Sequence, residues 1–386
     1  MYREKSSNIN ISPNFRPSVR INIHNLGGET KLYIQGDLGM VAGPYTIDMT
    51  DHDVHELNLA LRQAIEAVDL DVDYEDAVEY KHYQDLLQKL AAKGDFAFKR
   101  IFKEPGLRDA LSNALRKGVI IQVTSPQSFM LPWELLYVGS LNTPIDLSLF
   151  WGMQYIISRS VYSRAQANQF PYPEIFVSDK PNIGLVTNRD LEFVVSREIP
   201  YFEKLQENGS IDLITLRPLD AADVFDELQF IGKFLSRKMH IVHAACHAYE
   251  EVPVIESYLL VSEQFPIKIQ DFDNGNFDLK SNPFVVLNAC VTGTMSPLHT
   301  SNWAVLFWER GARGVLATEF HVPDSFASDF TEEMYKHLLA EKTVGESLLM
   351  TRRYFRNKGN PLGLAYALYG SPSIRLTSEE IINEWD

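Results

Sequence analysis

The sequence is poor in cysteine, in positive charge and in long apolar runs, and each shortage closes off a class of function. Its 386 residues include two cysteines, Cys246 and Cys290. That is too few for a disulfide framework, so a reducing compartment is expected. Lys and Arg total 36 against 51 Asp and Glu, a net charge of −15. Nucleic acid is a poor partner for such a chain, because phosphate binding needs a concentrated basic face. Nowhere do about 18 apolar residues follow one another, as a membrane-crossing helix would require. Residues 1–17 lack the apolar core of a signal peptide and read as a disordered lead-in. The expectation is a soluble, cytoplasmic protein with no direct nucleic-acid or membrane partner. Solenoid repeats are missing too. No glycine-rich phosphate loop follows a strand, since NIGLVTNRD (182–190) carries neither GxGxxG nor GxxxxGK, which disfavours a nucleotide-dependent α/β protein.

What is present is a 45% hydrophobic content, ample for a large core, and an uneven distribution of acid. Ten carboxylates lie between Asp51 and Glu79 against one arginine, Arg62. Val54, Leu57, Leu61, Ile65 and Val68 recur there every three or four residues, which predicts an amphipathic helix with a solvated acidic face. That face reads as a solubilising surface or as a docking site for a basic partner. The run DVDYED lacks the glycine and terminal glutamate of a calcium loop.

The chain reads in two halves. Residues 18–165 open with alternating strands across 18–48, the first two divided by Gly27-Gly28. Helical patterns follow at 53–68, 75–93 and 106–117, then a strand at 119–125 and an apolar stretch from Met130 to near Tyr162. Residues 163–181 are polar, contain three prolines and mark the boundary. From 181 to 386 buried apolar strands (182–188, 211–216, 239–246, 257–262, 283–289, 313–320) alternate with amphipathic helices (190–207, 220–238, 300–312, 325–340, 343–356). That pattern specifies an α/β fold, a parallel sheet covered on both faces. Its acidic stretch lies in the other half, outside the part that carries the chemistry.

In an open parallel sheet the reactive crevice lies beyond the carboxyl ends of the strands. There the sequence puts His247, at the end of MHIVHAAC (239–246), and Cys290, at the end of PFVVLNA (283–289). A thiolate is an effective nucleophile when an imidazole can form it or move its proton. Gly293, in CVTG, lets the backbone turn tightly beside it. Asn288 and Thr292 are polar for an inert core position and favour a site at Cys290.

These segments resemble a known family. HIVHAACHA followed by VVLNACVTG is similar to the paired histidine and cysteine motifs of the CHAT peptidases, relatives of caspases and separases. LPWELLY (131–137), ERGARGVLATEFHVPDSFASDF (309–330) and LAYALYGSPSIRL (364–376) resemble further family segments in the same order. The likeness spans about 118–376. It implies a caspase-like open, mostly parallel sheet with helices on both faces, beside an N-terminal α+β, pseudo-caspase-like half. It implies a cysteine endopeptidase that cleaves one or a few protein substrates in bacterial signalling or antiphage defence, held inactive until a partner or signal reorganises the cleft. Residues 248–282, with EEVPVIESY and QDFDNGNFD, are the expected mobile gating loops. Carried over residue by residue, Cys290 is the nucleophile, His247 the general base or acid, and the backbone N–H groups of Cys290 and Ala248 the oxyanion hole. Ala248 stands where the family usually has glycine, and a positive φ there would strain it and weaken the enzyme.

Rival readings attach to the same residues. His240, His243, Cys246 and His247 are all zinc-type ligands, but on a strand His240 and Cys246 face one way and His243 and His247 the other. No metal or cofactor is therefore expected. Cys246 reads as buried filler, and His243 as a satisfied core histidine or one supporting the site. A Cys246–Cys290 disulfide would quench the nucleophile. For specificity, Asp324 matches a separase carboxylate that receives a basic P1 side chain, while His321 stands in place of another acid. The plainer reading is that Asp324 N-caps a helix. Arg189, placed as caspases place a P1-aspartate-binding arginine, is the competing cue. The alternative function is a catalytically silent caspase-like scaffold that binds partners through its acidic N-terminal face.

Overall fold

The computed structural model describes residues 18–378 except 27, 37–40, 72–79, 116–118, 162–172, 217–223, 250, 252, 263–264 and 292–296. The first half opens with β1 (Val19–Leu26), β2 (Glu29–Gly36) and β3 (Val41–Ile47), an antiparallel meander. In β1 the residues Val19, Ile21 and Ile23 turn inward and their neighbours outward, the period of a strand with one face buried. Helices α1 (Asp51–Asp71), α2 (Tyr80–Ile101) and α3 (Pro105–Ala114) follow. Val54, Leu57, Leu61, Ile65 and Val68 form the buried stripe of α1. Residues 72–79, the remainder of the acidic stretch, lie outside the described residues. In α2, Gly94 lets the helix touch the turn Trp133–Leu135, since a Cβ there would collide with the Leu135 carbonyl. Next come β4 (Ile120–Ser125), the short α4 (Trp151–Gln154), β5 (Ile156–Val161) and β6 (Glu174–Val177).

The second half runs β7 (Asn182–Thr187), α5 (Ile199–Glu207), β8 (Asp212–Leu216), α6 (Val224–Leu235), β9 (Ile241–Tyr249), β10 (Tyr258–Ser262), β11 (Phe265–Lys268) and α7 (Ile269–Asn274). It continues with β12 (Phe284–Val291), α8 (Pro297–Glu309), β13 (Gly314–Thr318), α9 (Asp324–Leu338), α10 (Val344–Asn357), β14 (Tyr366–Gly370) and β15 (Arg375–Ser378). Among the described residues 13 strands form one mostly parallel sheet, in the order β11-β10-β9-β12-β13-β14-β5-β4-β1-β2-β3, with β7 against β9 and β8 beyond it. The halves meet where β14 lies beside β5, paired at Tyr369 and Arg159. One apolar cluster on one face gathers residues of both halves, among them Leu61, Leu90, Ile241, Val286, Phe330 and Leu348. A second cluster, with Val242, Ala244, Val285, Leu287 and Trp303, covers the other face. No helix among the described residues is long and apolar enough to cross a membrane.

Several expected boundaries shift for physical reasons. The two strands that carry His247 and Cys290 do not end before them: β9 and β12 pair from Ile241 and Phe284 through to Ala248 and Val291, so each residue lies inside its strand. The helix expected over 190–207 is interrupted by a π-helical turn, Val194–Glu198, before α5. Within the segment expected as a linker, Glu174–Val177 is a strand paired with β15. Of the expected gating loops, Val254–Glu256 is a 3-10 turn, and QDFDN is taken up in α7, which Asp271 caps by accepting the Lys268 N–H. The acidic helix is also closer to the second half than its sequence position suggests. Glu66 Oε1 accepts from Arg62 Nε at 2.8 Å and from the His321 N–H at 3.4 Å.

A buried ion cluster lies at the seam. Arg159 of β5 donates to Glu134, from the PWEL turn of the first half, and to Glu319, which follows β13 of the second. All three are at most 1% exposed. Tyr369 hydroxyl donates to Glu319 at 2.8 Å, and Arg352 sits 3.5 Å from Glu134. Burial pushes the Glu319 carboxyl up to about 7, against the opposing pull of Arg159. Arg159→Met should cost about 3 to 5 kcal/mol in urea unfolding, because it strands the buried Glu319 without its cation and leaves Glu134 with Arg352 alone. Adding Glu134→Gln and Glu319→Gln should recover part of that loss.

Candidate active site

The site grows out of two neighbouring parallel strands. β9 and β12 are apolar along their first turns of pleat, Ile241-Val242 and Phe284 to Leu287, and are buried on both faces. Their register sets Cys290 directly opposite His247 and Val291 opposite Ala248. Adjacent strands run about 4.8 Å apart, so the two backbones are within reach of one reacting group. On its other side His247 is paired with Leu260 of β10. His247 is half-buried. Beyond it Tyr249 and Tyr258 stack at 4.8 Å between ring centroids, and the Tyr249 ring lies 6.3 Å from the imidazole.

Cys246 is on the opposite face, fully buried in the cluster that holds Val242, Ala244 and Ala248. Desolvation, helped by the charge of Glu198, pushes its thiol up to about 12. It is an inert thiol in its native setting. His240 Nδ1 accepts the Asn182 N–H at 2.8 Å. Among the described residues no group of His, Cys, Asp and Glu is placed to hold a metal ion.

On the His247 face, below the strand ends, lies a buried polar network that sequence reasoning saw only in pieces. Glu198 Oε1, at the end of the π-helical turn, accepts from His243 Nε2 at 2.6 Å, from Asn288 Nδ2 at 3.0 Å and from Thr331 Oγ1 at 3.0 Å. Tyr335 hydroxyl is 3.2 Å from His243 Nδ1, so the Nε2–H tautomer satisfies both ring nitrogens. Tyr366 hydroxyl donates to Asn288 Oδ1 at 2.6 Å. His243 and Asn288 are 0% and 2% exposed. Asn288 thus acts inside this network, one pleat before Cys290. Thr292, the other polar flank, lies outside the described residues. The signal for Glu198 was a single acid in the apolar frame VVSREIPYF, which a surface helix would also show.

Ala248 lies in extended strand, paired with Val291 and Leu259. Positive φ among described residues other than glycine occurs only at Asn276, Asn282 and Glu341, so the feared backbone strain at Ala248 is not there. Arg189 is exposed in the turn after β7, next to Asn188, whose N–H donates to the Ala245 carbonyl at 2.8 Å. Asp324 is half-buried and opens α9, but Pro323 occupies the N-cap position. The capping reading is therefore corrected: Asp324 is the first helical residue, where a carboxylate complements the helix dipole.

A CHAT domain family model matches residues 96–366. Among solved structures, the Saccharomyces cerevisiae separase–securin complex is similar in two crystal structures, with TM-scores of 0.55 and 0.53 at 12% identity. The match covers 93% of this chain and 30% of the chain matched, so this chain spans under a third of that one. The Arg-specific cysteine proteinase gingipain R is similar at a TM-score of 0.44 and 11% identity, over 83% of this chain and 76% of that one. At such identities the likeness is one of fold, a caspase-like α/β fold with a large, mostly parallel sheet. Comparison with curated proteins found no match.

The Cys246 environment makes a prediction about stability. The folded state keeps the thiol proton up to about pH 12, whereas an unfolded thiol releases it near pH ~8.5. Stability from this group is complete below about 8.5 and is lost as the pH rises toward 12. Cys246→Ala should flatten the alkaline fall in unfolding free energy over that window, measured by denaturant titration at stepped pH.

Proposed function

Because this chain belongs to the CHAT domain family, we propose that it is a cysteine endopeptidase in which Cys290 is the nucleophile and His247 moves the proton. The observation that carries this reading is the register that sets Cys290 opposite His247 on adjacent parallel strands. His247 takes the thiol proton, and the thiolate forms a bond to the scissile carbonyl carbon while that carbonyl's π bond opens to an oxyanion. Backbone N–H groups of Cys290 and Ala248 receive the oxyanion. As the tetrahedral species collapses, the C–N bond breaks and His247 returns its proton to the leaving amine. Water, deprotonated by the same imidazole, then cleaves the thioester. Neither metal nor cofactor is needed.

Residues 181–386 form the catalytic half in this reading, and residues 18–165 the structural and regulatory one. The enzyme acts on one or a few protein substrates, in bacterial signalling or defence, after a partner or signal adjusts the cleft. Contact between Glu66 of the acidic helix and the His321 N–H supports a route from that face to the segment before α9. Asp324 at the start of α9 is the candidate receptor for an Arg or Lys P1 side chain. Arg189, exposed beside β9, would instead favour an acidic one. A silent scaffold that docks a basic partner on α1 is the second reading, favoured by the exposed acids Asp51 and Glu56.

A random peptide library incubated with the full chain, alone and with cell extract, tests these assignments. Cleavage after Arg or Lys is expected, and Asp324→Asn should lower it about 10-fold or more, since the half-buried carboxylate would no longer pair with the P1 charge. Cleavage after Asp or Glu would move the pocket to Arg189. Cys290→Ala should abolish turnover, and His247→Ala should lower it about 10²- to 10⁴-fold. Turnover that survives Cys290→Ala would sink the peptidase reading.

A further inference from the structure

Cys290 sits on an overhang. β12 pairs with β13 only from Phe284 to Leu287, whereas its pairing with β9 continues to Val291. From Asn288 onward the strand is therefore held by ladder bonds on the β9 side alone, among the described pairings. The free side is where a one-sided strand tip can swing, and a shift of about 1 Å at a reacting group costs on the order of 10²-fold in rate. Something has to brace it.

We propose that Asn288 is that brace: a positioning residue, clamped by Glu198 and Thr331, that sets Cys290 against His247. The proposal rests on the dyad reading above. Asn288 is the last residue before the reactive pair on its face of β12, and every polar atom of its side chain is engaged. Its amide nitrogen is within 3.0 Å of Glu198 Oε1, 3.0 Å of Thr331 Oγ1 and 3.2 Å of the Ala327 carbonyl, and its oxygen receives the Tyr366 hydroxyl at 2.6 Å. Glu198, Ala327 and Thr331 reach Asn288 over the sheet face that also carries His243, and Tyr366 reaches it from β14, so the strand is held from its face where its ladder to β13 has ended. The same Glu198 oxygen receives His243 Nε2, which lies on β9 four residues before His247. One carboxylate oxygen thus ties together the two strands that present the dyad and the helix α9 beside them.

A role in stability alone is a poor explanation. Buried ionic groups are weak stabilisers, and well-packed apolar residues of equal volume commonly serve as well or better. What an apolar set cannot supply is direction. Hydrogen bonds fix the strand along its axis as well as laterally, and a dyad needs that axial register.

Alkylation of the full chain by iodoacetamide, followed peptide by peptide by mass spectrometry, tests the proposal. Cys246 is the internal control, because its fully buried thiol labels only when the structure opens. Glu198→Gln and the isosteric Thr331→Val should slow Cys290 labelling at neutral pH by about 10- to 100-fold, with Cys246 still protected. Thr331→Ser, which keeps the hydroxyl, should restore the rate. In a His247→Ala background, itself slow, neither variant should slow Cys290 further, since positioning acts only through the imidazole. Wild-type labelling in Thr331→Val, or equal slowing with and without His247, overturns the proposal while leaving the dyad intact. An unchanged Cys290 rate in His247→Ala overturns the dyad reading and this one with it. Should Glu198→Gln expose Cys246, Thr331→Val decides; exposure in both means that the network holds the fold and not the cysteine.

Discussion

The charge on Arg159 has nowhere to go except into Glu134 and Glu319, and much of the architecture follows from that. A guanidinium keeps its proton at any pH the cell meets, so a buried arginine needs carboxylates brought to it. One carboxylate comes from the PWEL turn of the first half and the other from the end of β13 in the second. The seam at β14 and β5 is thus pinned by a triad that neither half can complete alone. Apolar packing acts in the same direction, since one cluster runs across both halves. Packing gives most of the free energy and no direction, whereas the triad specifies where the seam closes. Glu319 directly precedes the segment FHVPD, so the pin also fixes the approach to α9.

From that anchored side the sheet extends to β12 and β9, and its regularity runs out next to the proposed dyad. β13 stops at Thr318, and the β12 tip continues beside β9 alone. Ladder hydrogen bonds give way there to side-chain bonds gathered on Glu198. The same trade is visible on the other edge of β9, where β7 leaves after Thr187 and β10 takes over from His247 to Tyr249. Asn188 bridges that change, giving its N–H to Ala245 and its side-chain amide to the Leu260 carbonyl at 3.1 Å. Ligands of open α/β sheets bind in the crevice beyond such strand ends.

How much of this could be read from residues alone depended on range. The strands VVLNA and HIVHAAC were legible because continuous apolar runs between turn signals specify a buried parallel strand. So was the buried, apolar setting of Cys246, which needed only strand alternation and its neighbours. Helix α1 declared itself through its apolar stripe. Strands β6, β14 and β15 were not legible, because four or five residues give too short a period to tell strand from turn. Their assignment comes from partners 200 residues away, as with Glu174 and Arg375. Glu198 and Arg159 were invisible for a related reason: a lone charge in an apolar frame reads as a surface position until its buried counter-charges are known.

The two cysteines show how far environment outweighs residue identity. Cys246 precedes His247 in the chain, yet the alternation of the strand sends it to the far face, among aliphatic side chains. There the thiolate would lose its hydration without gaining a cation, and Glu198 adds a repulsive charge. Both effects hold the proton on. Cys290 is 44 residues from Cys246, and by register is one position further along a neighbouring strand, level with His247. A slip of one residue between β12 and β9 would turn Cys290 to the other face, level with Cys246 or Ala248 in place of His247. Register is accordingly the quantity on which the proposed dyad rests, and Glu198, which receives a donor from each strand, ties the two together.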